Sequence, residues 1–126
     1  MKLNLDCIRD ILLTVENAGY EERLTFDKLH ERLPKYSEED LHYCLIKLDE
    51  AGLLEVVTVP VLRQHLPAIK SVHNLTFYGH EFLENIKSDN AWNKTKSIAA
   101  KVGSYSLNTI RDISIGVISE IIKHHL

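Results

Sequence analysis

The sequence predicts a mainly helical α+β fold in which short helices surround one β-hairpin. Two observations lead to this prediction. Three amphipathic segments with helix-ending signals come first, and two runs rich in β-branched residues follow, separated by a loop bracketed by prolines. With 126 residues and 44% hydrophobic content, the chain is long enough to bury one compact core.

The segment from Ser37 to Leu54 is the best defined of the three helices. Ser37 is placed to accept hydrogen bonds from the free amides of the first turn, and the acidic residues that follow it suit the positive end of the helix dipole. Gly52 can take the left-handed conformation that ends a helix. The helical period of apolar residues places three leucines on the inward face, Leu41, Leu45 and Leu48. The outward face then carries Glu39, His42, Tyr43, Ile46, Lys47 and Glu50.

Two helices precede this segment. The first has an apolar stripe that ends at the sequence Asn17-Ala18-Gly19, and the stripe comprises Leu5, Ile8, Ile11, Leu12 and Val15. The second is capped by Thr25, is closed by Pro34 and turns Phe26, Leu29 and Leu33 inward. Only a few residues separate the second helix from the third, as a helix-turn-helix unit requires.

The β-hairpin consists of a strand at Leu54–Val59 and a partner strand at Lys70–Leu75, joined by a long loop at Pro60–Ile69. Three helices followed by a two-stranded hairpin is the element order of a winged helix. We therefore predict a winged-helix domain in residues 1–87, with the hairpin as its wing.

Residues 88–126 are predicted to form a helical extension that packs on the same core and pairs with a second copy of the chain. Before it, Thr76 caps a helix that turns Phe77 or Tyr78, together with Phe82, Leu83 and Ile86, toward the core. A helix at Ala91–Val102 follows. It is predicted to turn Trp92, Ile98, Ala99 and Val102 inward and Lys94, Lys96 and Lys101 outward.

The last segment, from Leu107 to His125, has an apolar stripe that is wider than one buried face requires. Either its own domain wraps this helix, or the helix also packs on a second copy. We expect a homodimer through the C-terminal helix. Its interface residues would be Leu107, Ile110, Ile113, Val117, Ile118 and Ile121.

The composition limits the chemistry that this chain can carry out. Its net charge of −3 gives no overall attraction to a polyanion, so nucleic-acid binding requires a local basic patch. None of the seven histidines has metal-ligand spacing, and no nucleophile elbow or phosphate-binding glycine loop is present. Cys7 and Cys44 lie in helical patterns typical of reduced thiols. We expect a cytoplasmic non-enzyme without cofactor, metal or membrane partner.

Several stretches resemble a bacterial and phage-associated family, domain of unknown function number 2513. They are LDCIRDILLTVE, SEEDLHYCLIKLDEAGLLE, NLTFYGHEFLENIKSDNAWNKTK and LNTIRDI, and they cover nearly the whole chain. The most specific residues are Leu75-Thr76, Gly79 to Leu83, Trp92 and Lys96. The resemblance implies a winged-helix-like fold and frequent occurrence in prophages, and it supplies no catalytic residue.

Two functions stay open at this stage. The first is a regulator that binds double-stranded DNA, through His42, Tyr43, Lys47, Arg63, Gln64, His65 and Lys70. The carboxylates at the start of the third helix oppose this function, because they would face phosphates. The second is a protein-interaction module that binds or inhibits a host protein. Its surface would comprise Tyr43 and Ile46 with the apolar wing residues Val61, Leu62, Leu66 and Ile69.

Overall fold

The computed structural model describes all 126 residues and divides them into two compact units, Met1–Gly79 and His80–Leu126. The elements in chain order are α1 (Leu5–Glu16), β1 (Leu24–Thr25), α2 (Phe26–Arg32), α3 (Glu38–Glu50), β2 (Leu54–Val59), β3 (Ala68–Leu75), α4 (Phe77–Ile86), α5 (Asp89–Val102) and α6 (Leu107–His124). The two units divide within α4, whereas the sequence suggested a division just after this helix. No helix is both long and apolar enough to cross a membrane.

Helices α1 and α2 form as predicted, with one difference in packing. The α1 stripe from Leu5 to Val15 is buried, and Asn4 caps the helix by accepting from the Cys7 amide at 3.1 Å. Thr25 caps α2 by accepting from the Lys28 amide at 3.2 Å. Of the three residues predicted inward on α2, only Leu29 is fully buried. The helix has seven residues, so Phe26 and Leu33, at its two ends, are only half-buried.

The sheet has three antiparallel strands in the order β1–β3–β2. The predicted hairpin is confirmed, although β3 begins at Ala68 rather than at Lys70. Strand β1 was not predicted, because two residues are too short to show any hydrophobic period. Val72 on the central strand pairs with Leu24 on one side and Val56 on the other, and it is fully buried. The element order α1-β1-α2-α3-β2-β3 confirms the winged-helix fold class.

The start of α4 is fixed against the turn between α3 and β2. Thr76 caps α4 as predicted, because its hydroxyl accepts from the Gly79 amide at 3.1 Å. The same hydroxyl donates to the Gly52 carbonyl at 2.5 Å, and the Thr76 amide donates to the Leu53 carbonyl at 3.2 Å. A Cβ atom on Gly79 would lie 2.0 Å from the Leu53 carbonyl oxygen. Only glycine permits this approach between α4 and the chain at Leu53.

The prediction that Phe77 or Tyr78 points into the core is wrong. Phe77 is 70% exposed and Tyr78 is also exposed, and the two rings stack edge to face with their centroids 5.4 Å apart. Gly79 occupies the face of α4 that turns toward Leu53, so the two aromatic residues before it lie on the outer side. Farther along α4, Phe82, Leu83 and Ile86 are buried, as predicted.

In the second unit, α5 and α6 pack against each other. Helix α5 begins at Asp89, slightly earlier than predicted, because the Ser88 hydroxyl accepts from the Ala91 amide at 3.1 Å. The helix ends at Gly103, which has a left-handed φ of 79°. The Ser106 side chain caps α6 by accepting from the Thr109 amide at 3.1 Å.

The buried face of α5 differs in part from the predicted one. Trp92 and Ala99 are buried, as expected. Ile98 and Val102 were predicted inward but are exposed. The buried face instead follows Ala91, Trp92, Thr95 and Ala99, mostly small residues that permit close helix packing. The longer aliphatic side chains of α5 therefore remain at the surface of this unit.

Candidate functional site

Helix α3 forms through the residues that predicted it. The Ser37 hydroxyl accepts from the Asp40 amide at 3.1 Å, and Gly52 ends the segment with a φ of 73°. Leu41, Leu45 and Leu48 are fully buried. The predicted inward face is confirmed, and it fixes which residues of α3 remain for contacts outside the chain.

The outward face of α3 holds Lys47 in contacts within its own helix. The Lys47 ammonium lies 2.9 Å from a Glu50 carboxylate oxygen and 5.3 Å from the centroid of the Tyr43 ring. The hydrogen bond that Lys47 donates to Glu50 raises the pKa of Lys47 above its ordinary value. The single cation predicted to contact nucleic acid from α3 is thus already paired with a carboxylate.

Ile46 was predicted to lie on the outward face of α3, and this prediction is wrong. Its side chain is only 4% exposed. The buried side of α3 is wider than the leucine stripe, since it also includes Cys44 and Ile46. Ile46 is therefore part of the core and cannot serve as an interface residue in the folded protein.

The first turn of α3 is acidic at the surface. Glu38 and Glu39 are exposed, and a Glu38 carboxylate oxygen lies 4.0 Å from Nδ1 of His30. These carboxylates suit the positive end of the α3 dipole, so they stabilise the helix. They also place negative charge where helix-turn-helix proteins approach DNA phosphates.

The wing has the opposite charge character. No aspartate or glutamate occurs between Glu55 and Glu81, a stretch that includes the whole β3 strand and the wing loop. At the loop, Arg63, Gln64 and His65 are all exposed, and Lys70 is exposed on β3. Arg63 has a φ of 67°, in the left-handed region, where the chain turns at the tip of the hairpin. The wing is thus a locally basic element of an acidic chain.

Contacts through His42 link the wing to the helices. Nε2 of His42 donates to the Pro67 carbonyl at 2.7 Å, and the His42 ring meets the Phe26 ring edge to face with centroids 6.4 Å apart. The wing loop is therefore anchored to α3 at its C-terminal end. Since Nε2 of His42 is already engaged, His42 serves as a structural link between α3 and the wing.

A groove of about 510 Å³ lies between the start of α3 and the wing. Four parts of the first unit contribute to it, namely the N-terminus, α2, α3 and the wing loop, so no local sequence period could have revealed it. Its lining combines aromatic and apolar groups with carboxylates, and comprises Met1, Phe26, Glu38, Glu39, His42, Tyr43, Gln64 and Leu66. Of the residues predicted for nucleic-acid contact, the groove brings together His42, Tyr43 and Gln64. Arg63, His65 and Lys70 lie outside it.

The apolar wing residues that were predicted as a protein surface separate into two groups. Val61 and Leu62 are exposed, with Leu62 at 92%. Leu66 and Ile69 are half-buried. Of the four predicted surface residues, Val61 and Leu62 are therefore the ones most available to a partner.

The residues predicted for the dimer interface also divide. Leu107 and Ile110 are buried and are not available to a second copy in the folded state, and Val117 is 5% exposed. Ile113, Ile118 and Ile121 are half-buried and remain accessible. The part of the stripe that the chain does not cover is therefore narrower than the sequence suggested, although Ile115 and Ile122 remain exposed beside it.

One polar cluster in the first unit escaped sequence reasoning. The Tyr36 hydroxyl donates to Oδ2 of Asp10 at 2.5 Å, and the Lys35 ammonium lies 3.2 Å from the same oxygen. Burial, followed by the hydrogen bond to Asp10, raises the pKa of Tyr36. Asp10 and Tyr36 are far apart in sequence, so only the packing of α1 against the start of α3 reveals the pair. The cluster connects α1 to the segment that precedes α3.

The structure holds no grouping of three or more histidine, cysteine or acidic side chains that could hold a metal ion. Cys7 and Cys44 are free thiols and both are buried. The hydrogen bond between the two thiols and the burial of Cys7 raise the pKa of Cys7. A buried, protonated thiol is a poor nucleophile.

Comparison with known proteins gives three findings. A family described as "Hypothetical protein (DUF2513)" matches residues 2–106. An uncharacterized protein of Haemophilus influenzae (strain ATCC 51907 / DSM 11121 / KW20 / Rd) is 32% identical over 123 residues, which cover 97% of this chain and 99% of that protein. The crystal structure of a PadR-like transcriptional regulator from Bacillus cereus strain ATCC 14579 aligns with a TM-score of 0.48 and 18% identity, over 79% of this chain and 92% of that chain.

Proposed function

We propose that this chain, which belongs to the DUF2513 family, is a non-catalytic regulatory protein that binds double-stranded DNA through its wing. One observation supports this proposal above the others. The wing loop and β3 combine exposed Arg63, His65 and Lys70 with no carboxylate between Glu55, near the start of β2, and Glu81, in a chain whose net charge is −3. A local basic element is what an acidic protein needs to bind a polyanion.

The wing tip has the residue types that proteins use in the minor groove. Arginine is attracted to the negative potential of a narrow minor groove, and apolar side chains can insert between base steps there. Arg63 follows Leu62, which is almost fully exposed, at the turn of the hairpin. Gln64 and His65 add exposed hydrogen-bonding groups, and Lys70 is available to a phosphate.

Helix α3 takes a smaller part in this proposal than in a standard helix-turn-helix protein. Glu38 and Glu39 repel phosphates, and Lys47 is already paired with Glu50. Two like charges about 4 Å apart cost about 1 kcal/mol in water, which opposes the favourable phosphate contacts. We infer that the wing supplies most of the affinity and that α3 contributes little base readout.

Fluorescence anisotropy of a labelled mixed-sequence duplex tests this function. We expect binding that weakens steeply between about 50 mM and about 200 mM salt, because cations are released from the phosphates. Arg63→Glu and Lys70→Glu should each weaken binding and flatten the salt slope by about one phosphate contact.

Lys123→Glu on α6 is the matched control. It changes the net charge by the same amount outside the wing, on a side chain that is 72% exposed. Binding that responds equally to all three substitutions would show a nonspecific charge effect and contradict the role of the wing. Absence of binding at low salt would refute the DNA function itself.

A second candidate function is supported by the groove between α3 and the wing. Its carboxylates, Glu38 and Glu39, and its aromatic residues, Phe26 and Tyr43, suit a basic segment of a protein better than a nucleic acid. In this alternative the chain is a phage-associated module that binds or inhibits a host protein.

Glu39→Lys separates the two functions. If the wing binds DNA, this substitution removes a repulsion near the phosphates and should strengthen duplex binding. If the groove instead binds a basic protein segment, duplex binding should be absent before and after the change, and Tyr43→Ala should weaken capture of the partner.

We also propose that the protein forms a homodimer through its C-terminal helix. The accessible half of the predicted α6 stripe supports this proposal, at Ile113, Ile118 and Ile121. Two wings in one assembly would bind DNA more tightly than one, because the second contact becomes intramolecular.

A further inference from the structure

The second unit contains an apolar groove between α5 and α6 with a volume of about 650 Å³. Its apolar surface comes from Ile98 on α5 and from Ile113, Val117 and Ile121 on α6. Two lysines, Lys94 and Lys101, border it on α5, and Glu120 and His124 border it on α6. All of these residues lie in one compact unit, so the groove is formed by that unit alone.

Gly116 lies in the wall of this groove, near the middle of the 18-residue helix α6. A glycine inside a helix is less favourable than alanine by about 1 kcal/mol. A Cβ atom on Gly116 would meet nothing within 4 Å, so packing within the chain does not explain the glycine. Gly79 differs, because its Cβ would collide with the Leu53 carbonyl. The surface at Gly116 is thus open to the close approach of a backbone from outside the chain.

The charged residues around the groove indicate which kind of molecule can bind there. The lysines and Glu120 lie on different helices, so the two walls of the groove have opposite signs. Neither Lys94 nor Lys101 forms an ion pair within the chain. Glu120 lies 3.7 Å from Lys123, but both side chains are about two-thirds exposed, and such a pair is weak. A surface with both signs on opposite sides complements itself when a twofold axis passes through it.

We propose that α6 of a second copy occupies this groove, crossing α6 of the first copy at Gly116. In this arrangement the α5 lysines of each copy face Glu120 of the other, and the glycines let the two helix backbones approach closely. The apolar groups of both copies, including Ile98 and Ile121, lose their contact with water. This inference rests on the homodimer proposed above and specifies its surface.

Sedimentation equilibrium on the full chain without DNA tests the proposal. We expect a dimer whose dissociation constant rises at least about tenfold in Gly116→Leu, because the leucine fills the space that the second helix requires. Lys101→Glu should also raise the constant about tenfold, by placing it against Glu120 of the second copy. Ala100→Leu is the matched control, since this exposed α5 residue does not line the groove, and it should leave the constant unchanged.

The double variant Lys101→Glu with Glu120→Lys exchanges the two signs and should restore dimerisation to within about threefold of the original chain. This rescue guards against variants that weaken association merely by misfolding. A chain that stays monomeric at high concentration would refute the homodimer and the groove together. A dimer whose dissociation constant is unchanged by Gly116→Leu and Lys101→Glu would refute only the groove as its interface. Neither result decides whether the wing binds DNA, which the anisotropy experiment tests separately.

Discussion

Replacing Gly79 with alanine should destabilise the protein, although alanine is the better helix former. Gly79 lies in the first turn of α4, where an added Cβ atom would sit 2.0 Å from the Leu53 carbonyl oxygen and 3.0 Å from its carbon. Ordinary contacts of this kind begin near 3.4 Å. The obstacle is backbone, so no side-chain rotation can relieve the collision.

The expected loss in the free energy of unfolding depends on the contacts that break when α4 and the backbone at Leu53 are pushed apart. The Leu53 carbonyl accepts from the Thr76 amide, and the Thr76 hydroxyl donates to Gly52 beside it. Loss of these two hydrogen bonds costs about 2 kcal/mol. The remaining strain of overpacking adds about 2 kcal/mol. The higher helix propensity of alanine offsets about 1 kcal/mol of this loss. The net loss in the free energy of unfolding is about 3 kcal/mol, or a Tm lower by about 10 °C.

Urea denaturation followed by circular dichroism measures this loss, with Gly116→Ala as the matched control. Gly116 is also a helical glycine, but its Cβ would meet nothing. At low protein concentration, where copies are apart, Gly116→Ala should raise the free energy of unfolding by about 1 kcal/mol. If Gly79→Ala is neutral or stabilising like its control, the close approach of α4 to Leu53 does not exist in solution.

Three further predictions concern the first unit. Tyr36→Phe removes the hydrogen bond to the Asp10 carboxylate and should cost about 2 kcal/mol in a denaturant titration. Because folding raises the pKa of Tyr36, its contribution is complete below about pH 10 and falls above it, and Tyr36→Phe should lessen this alkaline loss. Cys7 and Cys44 should resist a thiol reagent until urea unfolds the chain, and rapid labelling of both in buffer would contradict their burial. Ile46→Asp should unfold the protein, since it buries an unpaired charge, whereas a soluble, fully folded variant would contradict the burial of Ile46.

The local signals in the sequence were sufficient for most of the fold. Caps at Thr25, Ser37 and Thr76, together with the left-handed Gly52, set helix ends through interactions that span only a few residues. The helical spacing of apolar residues then identified the buried stripes of α1 and α3. The hairpin followed from β-branched runs around a proline-bracketed loop. These features are readable because each depends on near neighbours in the chain.

The charge contrast of the candidate site was also present in the sequence. The carboxylates at Glu38 and Glu39, and the lack of any carboxylate from Val56 to His80, are visible in the sequence without coordinates. They allowed DNA binding to be predicted together with the main argument against it. They could not show that Lys47 is paired with Glu50 or that His42 is tied to Pro67.

Tertiary structure alone decided which apolar residues are surface. Ile46 is buried although it lies beside the leucine stripe of α3, while Ile98 and Val102 are exposed and the buried face of α5 consists mostly of small residues. The same holds for the two helical glycines, whose letters in the sequence are identical. Gly79 is required by a carbonyl that approaches from another part of the chain, and Gly116 opens onto a groove. A sequence records helical periods and caps because they are local, but the neighbour of a given face is set only when distant segments pack.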